Sequence, residues 1–467
     1  MKNKTTVKRD AFGIARFISE YKTAEQRRQE GKSLRDKVPR VSQAEFEVAP
    51  DRTDPVKVIK KSSEGRLEHL IPIRYGRMSK SVFAFYRGTA SLMAMDLAQT
   101  PTSNIRVQAC GDCHLSNFGL FATPERNLIF DINDFDETLP APFEWDVKRL
   151  ATSFYVAALD NDFSEKDCNS ITRTCVLAYR EAIARFSTMK VLDVWYARLD
   201  MDTILKNAPD AEAKQNRERI AAEARAHITE YVFPKITRVH DGRRLIVDEL
   251  PLVYHPPPEE HVPEAIIDAF QQYRETLSYE RRVPLDRYHI EDVAYKVVGV
   301  GSVGTRCGVV LLMAEENDPL LLQVKEANAS VLEPYAGKSQ FDHKGERIVV
   351  GQRLMQSASD MLLGWAIGKE KRHFYVRQLR DMKFAFDISS MKPIQLSRYA
   401  EVCGWTLARA HARSGDASMI HGYIGKSDTF DKAIGNFAEL YAEQTERDCE
   451  LFLDAIESGE IQAVKEV

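Results

Sequence analysis

The chain lacks any run of about 18 consecutive apolar residues, which argues against a membrane-spanning helix. Its start, Met1-Lys2-Asn3-Lys4, is followed by polar and charged sequence, so no secretory signal is expected. Internal repeats and low-complexity tracts are also missing, which sets aside solenoids and biased linkers. No large charge imbalance is present either: the formal net charge is -4 and the isoelectric point about 6.3, so no global electrostatic argument points to nucleic acid or a membrane surface. Cysteine is sparse, with seven scattered residues, an odd number that reads as free thiols in a reducing compartment, the cytoplasm by default. What is present is 467 residues, 44% hydrophobic and 29% charged, enough for a large core in two or three domains or one bilobed enzyme.

One segment concentrates the polar chemistry. Ile105-Arg106-Val107-Gln108-Ala109 has strand character and is followed by Cys110-Gly111-Asp112-Cys113-His114-Leu115-Ser116-Asn117. A second strand, Asn127-Leu128-Ile129-Phe130, leads to Asp131-Ile132-Asn133-Asp134-Phe135-Asp136. Asp112 in a loop leaving a sheet can accept the proton of an attacking hydroxyl, and Asn117 can reach a metal ion from the same loop. The following carboxylates suit Mg²⁺, a hard cation that prefers oxygen ligands. Asp131 has the closer spacing to Asn117, whereas Asp134, with Asp136 two residues on, sits in a turn like the metal-binding turn of kinases. His114 reads as a scaffold of the loop, with proton transfer as the alternative. Cys110-Gly111-Asp112-Cys113-His114 also has the form of a haem-attachment motif, but that chemistry requires export. Packing is the simpler reading of both thiols.

The other informative segment comes later. Gly299-Val300-Gly301-Ser302-Val303-Gly304 could open a dinucleotide-binding unit, yet a helix must then follow. Instead Val309-Val310-Leu311-Leu312, an Asn317-Asp318-Pro319 turn and Leu320-Leu321-Leu322-Gln323-Val324-Lys325 predict a β-hairpin. A glycine loop between strands, with a lysine on the next strand, is a kinase-type phosphate cradle. Gly299, Gly301, Ser302, Gly304 and Lys325 are therefore candidate nucleotide contacts. Lys325 in an apolar strand needs a carboxylate partner. Glu346, in a helix expected over Gly345 to Gln356, is the candidate, with Gln352 as an alternative facing residue.

Elsewhere the pattern predicts a helical, basic N-terminal arm over residues 1–65. Arg27, Arg28, Lys32, Arg35 and Lys37 form a solvated face there, or a site for an anionic partner. A buried helix is expected from Ser81 to Ala98, and a helical region from Val147 to about Pro234. A short hairpin follows near Arg244 to Asp248, and Pro256-Pro257-Pro258 marks a boundary. Helices are also expected from Leu396 to His411 and from Thr429 to Ile461.

Gly111-Asp112-x-His114-x-x-Asn117, the Asp-rich strand end and Pro142-Phe143-Glu144-Trp145-Asp146-Val147 resemble the catalytic segment of aminoglycoside phosphotransferases, a branch of the protein-kinase-like superfamily. The wider pattern resembles an uncharacterised bacterial family known only as a domain of unknown function. It includes Arg74-Tyr75-Gly76-Arg77-Met78, Arg87-Gly88, Asn133 to Glu137, Gly299 to Gly304, Lys325-Glu326-Ala327 and Ala410 to Asp416. The kinase resemblance implies an α+β, bilobed, protein-kinase-like fold with a mainly helical large lobe and a β-rich small lobe. The catalytic segment precedes the glycine loop, so the order implies a circular permutation, which leaves a site intact because chain ends lie at the surface and often close together. The expected parts are an N-terminal extension (1–65), a large-lobe catalytic segment with a helical insertion (66–285), a small nucleotide-binding lobe (286–385) and C-terminal helices completing the large lobe (386–467). By the same resemblance Asp146 braces the catalytic loop, while Arg74, Arg77 and Arg87 have no counterpart in that template and read as structural ion pairs, with recognition of a substrate phosphate or carboxylate as the alternative. The implied activity is ATP- and Mg²⁺-dependent phosphoryl transfer to an unidentified acceptor. AMP transfer and a nucleotide-binding pseudokinase with a regulatory role are the alternatives.

Overall fold

The computed structural model describes residues 22–208, 210–226, 229–255, 262–297, 299, 301, 303–379 and 382–464. The architecture is mixed α+β. Ser302 and the Pro256–Pro258 boundary lie outside the described residues, as does the start of the expected N-terminal arm.

The largest sheet has six strands in the spatial order Gly364–Ile367, His373–Gln378, Pro319–Glu326, Cys307–Met313, His289–Lys296 and Val253–Tyr254, all paired antiparallel. The expected hairpin is its centre, in a register that sets Cys307 opposite Lys325. Its strands read as nearly continuous apolar runs because both faces are covered. Val310, Leu312 and Leu322 pack with Tyr273 and Leu277 on one side, and Val309, Leu311 and Leu321 with Phe233 and Ile246 on the other. This is the period-two alternation of a strand, with both sides apolar. The glycine segment thus joins two strands, His289–Lys296 and Cys307–Met313, and no helix follows it.

A helical body supplies the main core. Phe143–Asp160, Glu165–Phe186, Pro393–Ser414 and Thr429–Glu457 pack together around Phe154, Cys175, Tyr179, Leu407 and Phe437. Small residues set the closest crossing: a Cβ on Gly404 would fall 2.2 Å from the Cys175 carbonyl oxygen, so the second and third of these helices meet backbone to backbone. The end of Pro393–Ser414 abuts the strand Arg106–Ala109, where the Ser414 hydroxyl accepts the Gln108 N–H at 3.2 Å. No helix among the described residues is long and apolar enough to cross a membrane.

Two expectations change. The helix expected over Ser81 to Ala98 is two helices, Val82–Gly88 and Ala90–Leu97, separated by non-helical Thr89 (φ -119°, ψ 36°). The break frees the Gly88 carbonyl, which accepts a hydrogen bond from Arg74 at 2.9 Å. The basic N-terminal segment is also partly committed to this chain's own backbone. The helix Ala24–Ser33, closed by a capping box on Thr23, crosses the helix Ala417–Ile424. Arg35 and Arg40 donate to the Tyr423 and Ile424 carbonyls at 2.8 Å, so they cap the end of that helix, as cations near a C-terminus do.

Candidate active site

The strand Arg106–Ala109 delivers the chain to a loop that is fixed from behind. Asp146, in the first turn of Phe143–Asp160, accepts the Cys110 and Gly111 N–H groups at 2.6 and 3.0 Å, and His411 Nε2 lies 3.2 Å away. Gly111 has φ +83°, and a Cβ there would fall 2.4 Å from the Glu137 carbonyl oxygen, so only glycine fits. Asp146 therefore holds loop backbone, in the bracing place that the resemblance implies. Three residues on, along the same helical face, Arg149 donates to Asp112 Oδ1 at 2.7 Å through Nε and lies at 2.5 Å through its terminal nitrogen. One oxygen of Asp112 is thereby held, and Oδ2 faces the cleft, 4.0 Å from where a Cβ on Gly301 would stand. Asn117 donates its amide to the Asp112 carbonyl at 2.7 Å and lines the same cleft.

His114 is buried, with Nε2 3.8 Å from Asp112 Oδ2. Burial, then the nearby Arg87 and Arg149 guanidinium groups, hold its imidazole well below the usual range, so at neutral pH it carries no charge. A neutral, enclosed ring suits a scaffold of the loop. Cys110 and Cys113 are sealed in the core, and burial pushes the Cys113 thiol well up, which suits packing and leaves no open face for haem or metal.

The second element is the hairpin Phe118–Ala122 and Leu128–Ile132, whose end carries the acidic turn. Asp131 points away from the cleft. It is fully buried, ion-paired with Arg409, and accepts the Ser357 N–H and hydroxyl at 2.8 and 2.7 Å. The metal-ligand candidacy of Asp131 is thus corrected to a structural ion pair, since every residue of its strand is covered. Asp134 and Asp136 line the cleft instead. Lys325 Nζ lies 2.5 Å from Asp136 Oδ2 and 3.9 Å from Asp134, and Tyr375 donates to Asp136 Oδ1 at 2.7 Å. Burial opposes the charge of Lys325, yet Asp134 and Asp136 hold its ammonium well above the ordinary lysine range. Burial would raise Asp136, but Lys325 and Tyr375 bring it below the usual carboxylate range. Asp134 moves the other way, raised by burial and by the neighbouring Asp136 charge.

Glu346 does not meet Lys325. In the helix Lys344–Met355 it occupies the first turn, where its N–H is capped by His343. The next residue, about 100° further around the helix, is the one that reaches the acidic turn. Arg347 donates to the Asp136 carbonyl at 2.7 Å and the Asn328 carbonyl at 2.8 Å, and also bonds the Thr138 carbonyl. Gln352 is turned to Gln356 at 2.9 Å, outside the cleft. The lysine's carboxylate partner thus comes from the acidic turn itself.

Asp112, His114, Asn117, Asp134, Asp136 and Glu137 line one cleft of about 670 Å³ together with Gly299 and Gly301, and the buried Lys325 reaches it only through its pairing with Asp136. Residues 65–77 tie the glycine segment down. Arg77 donates to the Gly299 carbonyl at 2.7 Å, Arg66 to Val303 at 2.5 Å, and the Leu67 N–H to Gly304 at 2.7 Å. Gly304 has φ +86°, and a Cβ there would fall 3.1 Å from Arg66 Cβ, so it lies directly on that segment. Sequence reasoning missed Glu137, Arg66, Arg149 and Arg347. Of these, Arg149 carried a signal, three residues beyond Asp146 on a helix. Burial raises the Glu137 carboxyl to about 7 despite Arg347 and the Val331 N–H it accepts at 2.7 Å. Among the described residues no three histidine, cysteine or carboxylate side chains converge as a metal cage.

Fold and site together define a mixed α+β protein with a polar cleft lined by a braced Asp-Asn loop and by an acidic turn that pairs with a buried lysine. The chain belongs to a family of uncharacterized proteins conserved in bacteria (DUF2252), whose model matches residues 66–455. No curated protein and no solved structure matches it.

Proposed function

We propose that this protein is an ATP- and Mg²⁺-dependent phosphotransferase whose kinase-like, bilobed fold is assembled from a circularly permuted chain. The observation that carries this reading is the pairing, at 2.5 Å, of buried Lys325 with Asp136, which lines the same cleft as Asp112, Asn117 and Gly301. The permutation draws support from the contact between Ser414 and Gln108: the helix that ordinarily precedes a catalytic loop adjoins it in space, though it follows by some 300 residues in sequence.

The donor set suits a hard cation. Asp134 and Asp136 stand close together, and the burial and mutual repulsion that raise Asp134 are what a divalent ion offsets. Mg²⁺ needs only one or two carboxylates when phosphates complete its shell, so a three-residue cage is unnecessary. Asp134, Asp136 and the amide oxygen of Asn117 would hold the ion, which neutralises charge on the nucleotide phosphates. Lys325 donates to the phosphates, and Asp136 holds it in place. Asp112 Oδ2 accepts the acceptor hydroxyl's proton while Arg149 fixes Oδ1. The acceptor oxygen bonds to the γ-phosphorus, the bond from that phosphorus to the β–γ bridging oxygen breaks, and ADP leaves.

Asp112→Asn tests the assignment, because asparagine keeps an oxygen for Arg149 and loses only basicity. Turnover is expected to fall about 10²-fold or more, with ATP affinity by titration calorimetry largely unchanged. Wild-type-like turnover in this variant would remove Asp112 as base, and the absence of any nucleotide binding by the wild type would remove the whole reading.

A further inference from the structure

The cleft also has a basic wall that phosphoryl transfer, as derived above, does not use. It is built from residues 57–87, on the helices Pro55–Lys61, Ile71–Met78 and Val82–Gly88, and contributes Lys57, Lys61, Arg66, Arg74 and Arg87 to the lining against the single carboxylate of Glu64. Among the described residues none of these five cations is in an ion pair. Several other buried arginines are, Arg52 with Asp96 and Asp448, Arg149 with Asp112 and Arg409 with Asp131, whereas Arg347 is held by three backbone carbonyls. Arg74 is only 1% exposed, yet its partners are neutral, the Ser63 and Ser62 hydroxyls at 2.8 and 3.2 Å and the Gly88 carbonyl. The Nε atoms of Arg74 and Arg87 are buried without a hydrogen-bond acceptor. A guanidinium taken out of water without a counter-charge is costly, and a bound oxyanion removes that cost through forked, charge-assisted hydrogen bonds.

Arg66 also holds the Val303 carbonyl of the glycine segment, whereas the side chains of Arg74 and Arg87 bond no group assigned to the nucleotide. Arg87 stands near Asp112, whose charge favours its own, and helps keep His114 neutral, whereas Lys325 stands with Asp136 and Tyr375. We infer that the wall formed by Arg66, Arg74 and Arg87 is an oxyanion subsite for the acceptor, which is then a small hydroxyl compound carrying a phosphate or carboxylate group. The phosphotransfer reading enters only in naming the occupant an acceptor. The anion subsite itself stands on the unpaired guanidinium groups.

The test is calorimetric titration of inorganic phosphate, and of succinate in parallel, into the full chain, both free and saturated with ADP and Mg²⁺. At least one oxyanion is expected to bind in both states with similar affinity, phosphate or succinate leading according to which group the acceptor carries. Arg87→Gln is expected to weaken that binding about tenfold or more while ADP affinity is kept, and Arg87→Lys, which keeps the charge but loses the fork, to fall between. Lys325→Ala is expected to weaken ADP and spare the oxyanion. Competition between oxyanion and ADP would assign the wall to the nucleotide, overturning the subsite while leaving phosphotransfer standing. No oxyanion binding at millimolar concentration would also overturn it. Oxyanion binding that depends on Arg87 in a protein that binds no ADP would keep the subsite and remove the phosphotransfer reading.

Discussion

Glu137 follows the acidic turn directly and differs from its neighbours in lacking an ion-pairing cation among the described residues. Burial lifts its carboxyl from 4.5 to about 7. A group whose pKa is raised on folding binds its proton more tightly in the native state, so its contribution falls as pH rises through the window from about 4.5 to 7. The loss is at most about 3 kcal/mol. Glu137→Gln keeps an acceptor for the Val331 N–H and cannot ionise. Its thermal midpoint is therefore expected to gain on that of the wild type between pH 5 and pH 8. A difference that stays constant over this range would contradict the burial argument. The same scale explains which site residues the sequence revealed. Asp112, Asn117 and Asp134 sit in loops whose residue types have few other uses. Asp131 looked equivalent because an ion pair with Arg409, 278 positions away, leaves no local mark.

At the scale of elements, glycines govern how the N-terminal segment docks. A Cβ on Gly31 would fall 2.0 Å from the Met419 carbonyl oxygen, and one on Gly422 would fall 2.0 Å from that of Arg28. The helices Ala24–Ser33 and Ala417–Ile424 thus cross in reciprocal backbone contact. Gly422→Ala is expected to cost about 1–3 kcal/mol, well beyond an ordinary exposed helical substitution, where alanine instead stabilises. Chemical denaturation measures this, and a stabilised variant would refute the crossing. Elements with a strong local pattern were legible. The hairpin around Asn317-Asp318-Pro319 and the helices Lys344–Met355 and Pro393–Ser414 follow from apolar periodicity and turn residues. The break at Thr89 was not, because the apolar pattern of Val82 to Phe85 resumes at Leu92 across the short Arg87-Gly88-Thr89 stretch. The rotation that turns Arg347 rather than Glu346 to the acidic turn was equally hidden, since it depends on packing.

For the whole molecule, the order of segments is the unusual property. Catalytic-type loop and acidic turn come first, glycine segment and lysine some 190 residues later, yet Lys325 and Asp136 make one ion pair. The sequence made the two halves visible because each has its own spacing rule. It marked Arg74 and Arg87 as arginines without a counterpart that form ion pairs or bind a substrate anion, but it could not choose between the two or add Arg66, because the choice depends on which carboxylates the fold brings near. The central claim is phosphoryl transfer in this cleft, and ATP labelled at either the α or the γ position tests it most directly. With Mg²⁺ and an anionic hydroxyl acceptor, the account predicts that the γ label moves to acceptor and the α label stays on ADP. Transfer of the α label would make the protein an AMP transferase, and binding without transfer of either label would make it a pseudoenzyme; each contradicts the account.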